Sequence, residues 1–128
     1  QIPEFEQETT LERLQSRLDG AESLILVAKL EGTLVGYKVG YQLTEETFYS
    51  WLGGVIPEHR KHGVATLLLN YQEKWVLNSG YKQIKVKSMN RFPGMLNLLI
   101  SNGYEIVGIE ESVCGSEGKI VFLKRLVV

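Results

Sequence analysis

The chain has 128 residues, 44% of them hydrophobic, enough to close one core, so a single domain is expected over residues 1–128. Fourteen basic side chains against fifteen acidic ones leave a net charge of −1, which excludes a global field for nucleic acid or for an anionic membrane. No apolar run nears bilayer-spanning length, no signal sequence is read at the start, and the single cysteine, Cys114, excludes an internal disulfide; a cytoplasmic protein is expected.

Residues Ile2 to Asp19 begin irregularly and then become helical, with Leu11, Leu14 and Leu18 recurring at helical spacing and Asp19-Gly20 as the stop. Ser23 to Leu30 reads as a buried strand. Glu31-Gly32 turns the chain into a second strand, Leu34 to Tyr41. A turn holding Glu45 and Glu46 leads to a third, Thr47 to Val55. The connections are too short for crossovers, so these three strands form an antiparallel meander. Val64 to Ser79 is the clearest helix, with Leu67, Leu68, Tyr71, Trp75 and Val76 as its apolar face and Gly80 as its end. Gln83 to Met89 alternates as a strand with one basic face. Strand, helix and strand from Val55 to Met89 make a crossover, so the flanking strands are parallel. Pro93 opens another helix that Asn102-Gly103 ends. Tyr104 to Ile109 and Lys119 to Val128 are the last strands. The sum is an α+β fold: one mixed, mostly antiparallel central sheet flanked by helices.

Chemistry concentrates between the third strand and the long helix, at Val55-Ile56-Pro57-Glu58-His59-Arg60-Lys61-His62-Gly63-Val64-Ala65-Thr66. A basic, glycine-bearing loop at a helix N-terminus offers unpaired backbone N–H groups and the positive end of a dipole, the makings of a phosphate cradle. No Gly-Lys-Ser/Thr follows, so it is not a P-loop, and it is not the dinucleotide Gly-x-Gly-x-x-Gly. Arg60-x-x-Gly63-x-Ala65, with Val55-x-Pro57 ahead of it, resembles the acetyl-CoA pyrophosphate signature of the GNAT N-acetyltransferase superfamily. The bland alternative is a surface turn before an amphipathic helix. The element order matches the GNAT fold along most of the chain. The usual first strand is not evident: either it is absent or Ile2 to Phe5 is its remnant. Asn90-Arg91-Phe92 through Asn102-Gly103-Tyr104 is similar to the family's second signature.

The resemblance implies acetyl-CoA as cosubstrate, no metal, and a primary amine on a small molecule or a peptide as acceptor. It implies that the backbone from Arg60 through Lys61, His62, Gly63, Val64 and Ala65 grips the pyrophosphate, although the Lys61 and His62 side chains read more simply as solvated surface. A bulge at Gly53-Gly54 is expected, because paired glycines in a strand mark a bulge or a close approach. Gly53 and Val55 would then offer backbone groups to the cofactor, with the Val55 N–H as oxyanion donor. Asn90 would meet the pantetheine arm. A strand-end turn residue is the plainer reading of it, and Arg91 is a further candidate phosphate contact.

One departure stands out. Relatives often carry, four residues before the Gly-aromatic pair, a Tyr that protonates the departing thiolate; here that position is Leu99. No general base is evident either. Glu45, Glu46, Tyr49 and Trp51 are expected near the acceptor entry, and water, not Tyr104, is expected to supply the thiolate's proton. Two readings follow: an N-acetyltransferase working by direct attack in a ternary complex, or a non-catalytic acetyl-CoA-binding module. A homodimer is also expected, because the final strand ends on Leu126-Val127-Val128 and a bare apolar edge invites pairing.

Overall fold

The computed structural model describes residues 22–56, 63–111 and 118–126. The helix expected between Ile2 and Asp19 lies outside the described residues, as do Arg60, Lys61, His62, Val127 and Val128.

Strand β1 (Ser23–Leu30) turns back into β2 (Thr33–Gln42) through Glu31 and Gly32, both with positive φ, at 51° and 82°. Two left-handed residues match the twist of the strands they join. The β2–β3 turn is held by the Thr44 hydroxyl, which accepts the Thr47 N–H at 3.1 Å, and β3 (Thr47–Val55) follows. Helix α1 (Val64–Asn78) carries the chain over the sheet to β4 (Gln83–Ser88). Helix α2 (Pro93–Ser101) then leads to β5 (Glu105–Glu110) and β6 (Lys119–Arg125). The sheet order is β1-β2-β3-β4-β6-β5. Among the described strands only β3 and β4 pair in parallel, as a helical crossover requires.

Both helices cover the same face. Leu69 and Val76 from α1 and Leu99 from α2 share a core cluster with Phe48, Ile84, Val86 and Phe122. The opposite face buries Val35, Tyr37, Val39 and Ile56. Strand β2 is therefore buried along both faces from Val35 to Tyr41, Lys38 included.

Four expectations need correcting. Among the described residues β1 is at the edge of the sheet rather than buried within it, and Ile25, Val27 and Leu30 are each more than half exposed. The inward face of α1 is Leu68, Leu69, Gln72 and Val76, while Leu67 and Tyr71 point to solvent; the apolar stripe is displaced because a glutamine occupies one of its buried positions. The final strand is not an edge: β6 lies between β4 and β5 and pairs with both. The bulge is not at Gly53-Gly54. Register slips where Val39 faces Leu52 and Gly40 faces Ser50, leaving Trp51 as the extra residue. Gly54 instead marks a close approach, since a methyl group there would come within 2.8 Å of the Tyr37 ring.

Candidate active site

Past its first half, β3 parts from β4. The two strands pair only from Thr47 with Gln83 to Ser50 with Val86, yet β3 runs on to Val55 and β4 to Ser88. The bulge at Trp51 begins where the pairing stops, and a bulge bends the strand that carries it. The result is an opening at the carboxyl ends of the two parallel strands, at the end of the sheet where α1 begins.

Backbone direction makes this opening polar. The Ile56 N–H donates to Val35 O at 2.9 Å, while Val55 faces Gly36 in register. In an antiparallel ladder that combination makes Gly36 and Val55 a non-hydrogen-bonded pair, so the Val55 N–H and C=O point away from β2. Two residues earlier Gly53, facing Lys38, has the same orientation. Both peptide edges turn toward the side that β4 has left.

At the head of α1, Gly63 has φ +81°, and a methyl group built on it would meet none of the described residues within 4 Å beyond its chain neighbours. The first intrahelical bond runs from the Leu67 N–H to Gly63 O at 2.9 Å. The N–H groups of Val64, Ala65 and Thr66 thus lie ahead of the helix's own acceptors. No acidic side chain occupies the first turn and no side-chain cap closes it, which leaves the positive end of the dipole without a neutralising carboxylate there. Asn90 is exposed in the turn after β4, which the Phe92 N–H closes onto Met89 O at 3.0 Å. Gly53, Val55, Gly63, Val64, Ala65 and Asn90 therefore cluster at one end of the sheet.

Other candidates fall elsewhere. Glu45 and Glu46 precede β3, at the opposite end from the opening, and Glu46 pairs with Lys82 on the exposed surface at 3.4 Å. Tyr49 and Trp51 lie against Tyr41, with ring centroids 5.4 and 5.8 Å away. Two shallow grooves, one by Glu73 and Lys124 and one between β1 and α1, are lined by none of the cluster residues.

Leu99 is fully buried among Leu69, Val76 and Phe122. Tyr104 is almost as deep, and its hydroxyl donates to Glu73 at 2.8 Å; Lys124 pairs with the other oxygen of that carboxylate at 2.9 Å. Burial, with the neighbouring Glu73 carboxylate, pushes the Tyr104 phenol far above its ordinary range. Leu99 has no proton to give, and the Tyr104 hydroxyl, committed to Glu73, is a weaker acid than an ordinary phenol.

Two buried polar residues were not singled out by the sequence reading. Lys38 is 7% exposed, and burial pushes its amine down to about 8, with Glu73 opposing. Gln72 is fully buried, and neither its amide nitrogen nor its amide oxygen has a hydrogen-bond partner. The available signal was the small-residue face of β2: Gly36 and Gly40 flank Lys38, and Gly53 stands opposite it.

The model of the acetyltransferase (GNAT) family matches residues 1–99. No curated protein sequence matches the chain. Among solved structures, Ard1 from Thermoplasma volcanium superposes with a TM-score of 0.83 at 13% identity, over 98% of this chain and 83% of its own. The ribosomal-protein-S18-alanine N-acetyltransferase from Escherichia coli gives 0.81 at 14%, over 99% and 82%. A GNAT family acetyltransferase from Elizabethkingia anophelis, solved with acetyl-CoA bound, gives 0.78 at 19%, over 94% and 84%. At these identities the structural likeness establishes the fold, and the family model goes further: the chain belongs to the acetyltransferase (GNAT) family and is an acetyltransferase of the GNAT type.

Proposed function

We propose that this acetyltransferase moves the acetyl group of acetyl-CoA to a primary amine by direct attack within a ternary complex. The observation that carries the reading is the pair of β3 peptide edges, Gly53 and Val55, turned into the opening beyond Ser50. Acetyl-CoA supplies an activated thioester there. The Val55 N–H serves as the oxyanion donor as the carbonyl becomes tetrahedral. The N–H groups of Gly63, Val64 and Ala65, with Arg60, Lys61 and His62 ahead of them, hold the pyrophosphate. Asn90, across the opening, holds the pantetheine arm. The acceptor amine approaches from the face opposite the helices, beside the Tyr49 and Trp51 rings. Orientation and a fixed donor are what such an attack needs, without a covalent enzyme intermediate. Among the described residues no group of His, Cys, Asp or Glu could hold a metal ion, and no helix is long and apolar enough to cross a membrane.

The deciding experiment is thiol release from acetyl-CoA with a panel of primary amines on small molecules and peptides, alongside thermal shift with acetyl-CoA. Stabilisation together with turnover supports the enzyme. Stabilisation with no turnover on any amine favours a non-catalytic acetyl-CoA-binding module, which the buried Leu99 at the family's acid position keeps in play.

Tyr104→Phe should lower kcat by well under the roughly 10²- to 10⁴-fold expected of a lost general acid, because its hydroxyl is already committed to Glu73. The same change should cost about 1.5–3 kcal/mol of stability for the lost hydrogen bond to the Glu73 carboxylate, read by denaturant titration. A fall in kcat of about a hundredfold or more in a well-folded variant would make Tyr104 the acid.

For the homodimer, the topology moves the proposed contact to β5. Among the described residues that strand pairs with β6 alone, and it leaves Ile106, Val107 and Ile109 more than half exposed. Light scattering should give the mass of two chains, falling to one in Ile109→Lys. A single-chain mass for the wild type across a wide concentration range would end the idea.

A further inference from the structure

Beneath α1, where β3 and β4 part, the sheet and helix carry polar side chains that a closed core would not. Of the buried polar residues, Lys38, Ser50, Gln72 and Ser88 lie on or against the helix-covered face at this point. Side-chain parity places them. Phe48 and Val86 pack with α1, and Ser50 and Ser88 are two residues further along the same faces. Lys38 and Gly53 are cross-strand partners on that face. A methyl group on Gly53 would lie 3.5 Å from Lys38 Nζ, an ordinary contact distance, so the amine lies over β3 at Gly53, toward the opening. Among the described residues no hydrogen bond or ion pair holds that amine.

Gln72 points to the same place. Leu68 lies over Gly36, as a methyl group there would come within 3.2 Å of it. Helix α1 runs parallel to β2, because both run opposite to β3. One turn along α1 from Leu68 is Gln72, a rise of about 6 Å. Two residues along β2 from Gly36 is Lys38, a rise of about 6.6 Å. A methyl group on Gly36 would also come within 3.0 Å of Val64, so the register sets Lys38 under the turn from Leu68 to Gln72, and both amide atoms of Gln72 are unpartnered. A buried amine and a buried orphan amide in one spot call for a polar occupant.

We propose that Lys38 is the acid of this enzyme, giving its proton to the coenzyme A thiolate as the acyl group leaves. The proposal rests on the acetyl-CoA reading above. The step balances. The acceptor nitrogen bonds to the carbonyl carbon and the tetrahedral centre collapses with loss of the C–S bond. The sulfur then takes one Nζ proton, and the surplus proton on the new amide nitrogen goes to solvent, from which neutral Lys38 is recharged. The elements packed against Lys38 are β1 through Leu26, β3 through Gly53, and α1 through Gln72 and Glu73. Glu73 is the only charged group among these, and it favours the ammonium. An amine that titrates near 8 is matched to a thiol whose ordinary value is about 8.5. It takes the place that Leu99 and the Glu73-bound Tyr104 leave empty, and it replaces the water expected from the sequence as the immediate proton donor.

The test uses the full chain and coenzyme A itself, so it needs no acceptor. Calorimetry establishes binding, and the ultraviolet thiolate band is followed against pH for bound coenzyme A in wild type and in Lys38→Met. The expected result is that the wild type ionises the bound thiol at least about tenfold more readily than Lys38→Met, one pH unit lower. Lys38→Met removes a buried charge, so it should fold. Lys38→Arg, charged throughout this range, should restore the easier ionisation. Identical thiol titration in wild type and Lys38→Met, with coenzyme A bound to both, would overturn the role of Lys38 and leave the acetyl-CoA reading standing. No binding to the wild type would overturn both.

Discussion

Replacing Lys38 by methionine should stabilise the fold at neutral pH by about 3 kcal/mol, and the gain should vanish in alkali. Lys38 is buried, and its amine titrates at about 8 where an exposed lysine titrates at 10.5. Each pH unit of such a displacement corresponds to about 1.4 kcal/mol. The sign follows from proton counting. Below pH 8 the amine is charged in both the folded and unfolded chains, so the full desolvation cost is carried. Between about 8 and 10.5 the unfolded chain binds the extra proton, so wild-type stability rises with pH relative to the variant. Above 10.5 the amine is neutral in both states and the cost is gone. Methionine has a similar volume and no charge to bury. Denaturant titrations of both proteins from pH 6.5 to 10.5 give the difference directly. A Lys38→Met variant less stable than wild type at pH 7 would mean that the ammonium is well solvated or paired in the folded chain. An enzyme that retains such a costly lysine trades stability for chemistry, the pattern expected where a charge is kept for a reaction.

Lys38 also shows where a sequence stops being readable. The alternation Val35, Tyr37, Val39, Tyr41 marks one face of β2 as core, and by the usual period-two rule the Gly36, Lys38, Gly40 face reads as the solvent side. Yet α1 packs on that face too, because the crossover lays it there. Which face a later helix covers is decided by tertiary contacts, not by the local pattern. The same limit explains α1, where the leucines suggest a stripe through Leu67 and Tyr71 but the helix turns Gln72 inward. Sheet order is likewise nonlocal: nothing within Lys119 to Leu126 says that β5 will flank it on the outside. What was legible was what local chemistry controls. Gly63, Gly80 and Gly103 end or begin helices with positive φ, as their spacing suggested. The described elements lie within a residue or three of their expected bounds. The Val55 to Ala65 segment pointed to the proposed site because cofactor recognition through backbone needs a contiguous stretch of chain. The acid, which needs only one side chain in the right place, left no such trace.

Gly63→Val should weaken coenzyme A binding at least about tenfold, or roughly 1.4 kcal/mol. Two effects add. The backbone at Gly63 has φ +81°, a conformation a β-branched residue enters only at a cost of about 1–3 kcal/mol. The branched side chain would also occupy the head of α1, where no described residue beyond the chain neighbours lies within 4 Å of such a Cβ and where the proposed pyrophosphate would sit. Strain alone can be separated from blockage by a partner substitution. Gly80, at the other end of the same helix, has φ +93° and is equally unobstructed. Gly80→Val should therefore lower stability by a similar amount and leave affinity unchanged, whereas Gly63→Val should lower both. Calorimetry with coenzyme A and denaturant titration on each variant supply the four numbers. Affinity retained in a folded Gly63→Val would remove the phosphate cradle from the head of α1. Equal loss of affinity in Gly80→Val would show that helix strain, not the cradle, governs binding. The comparison is informative because the two glycines share a conformation and a helix and differ only in which end they occupy: the dipole favours an anion at the Gly63 end and opposes one at the Gly80 end.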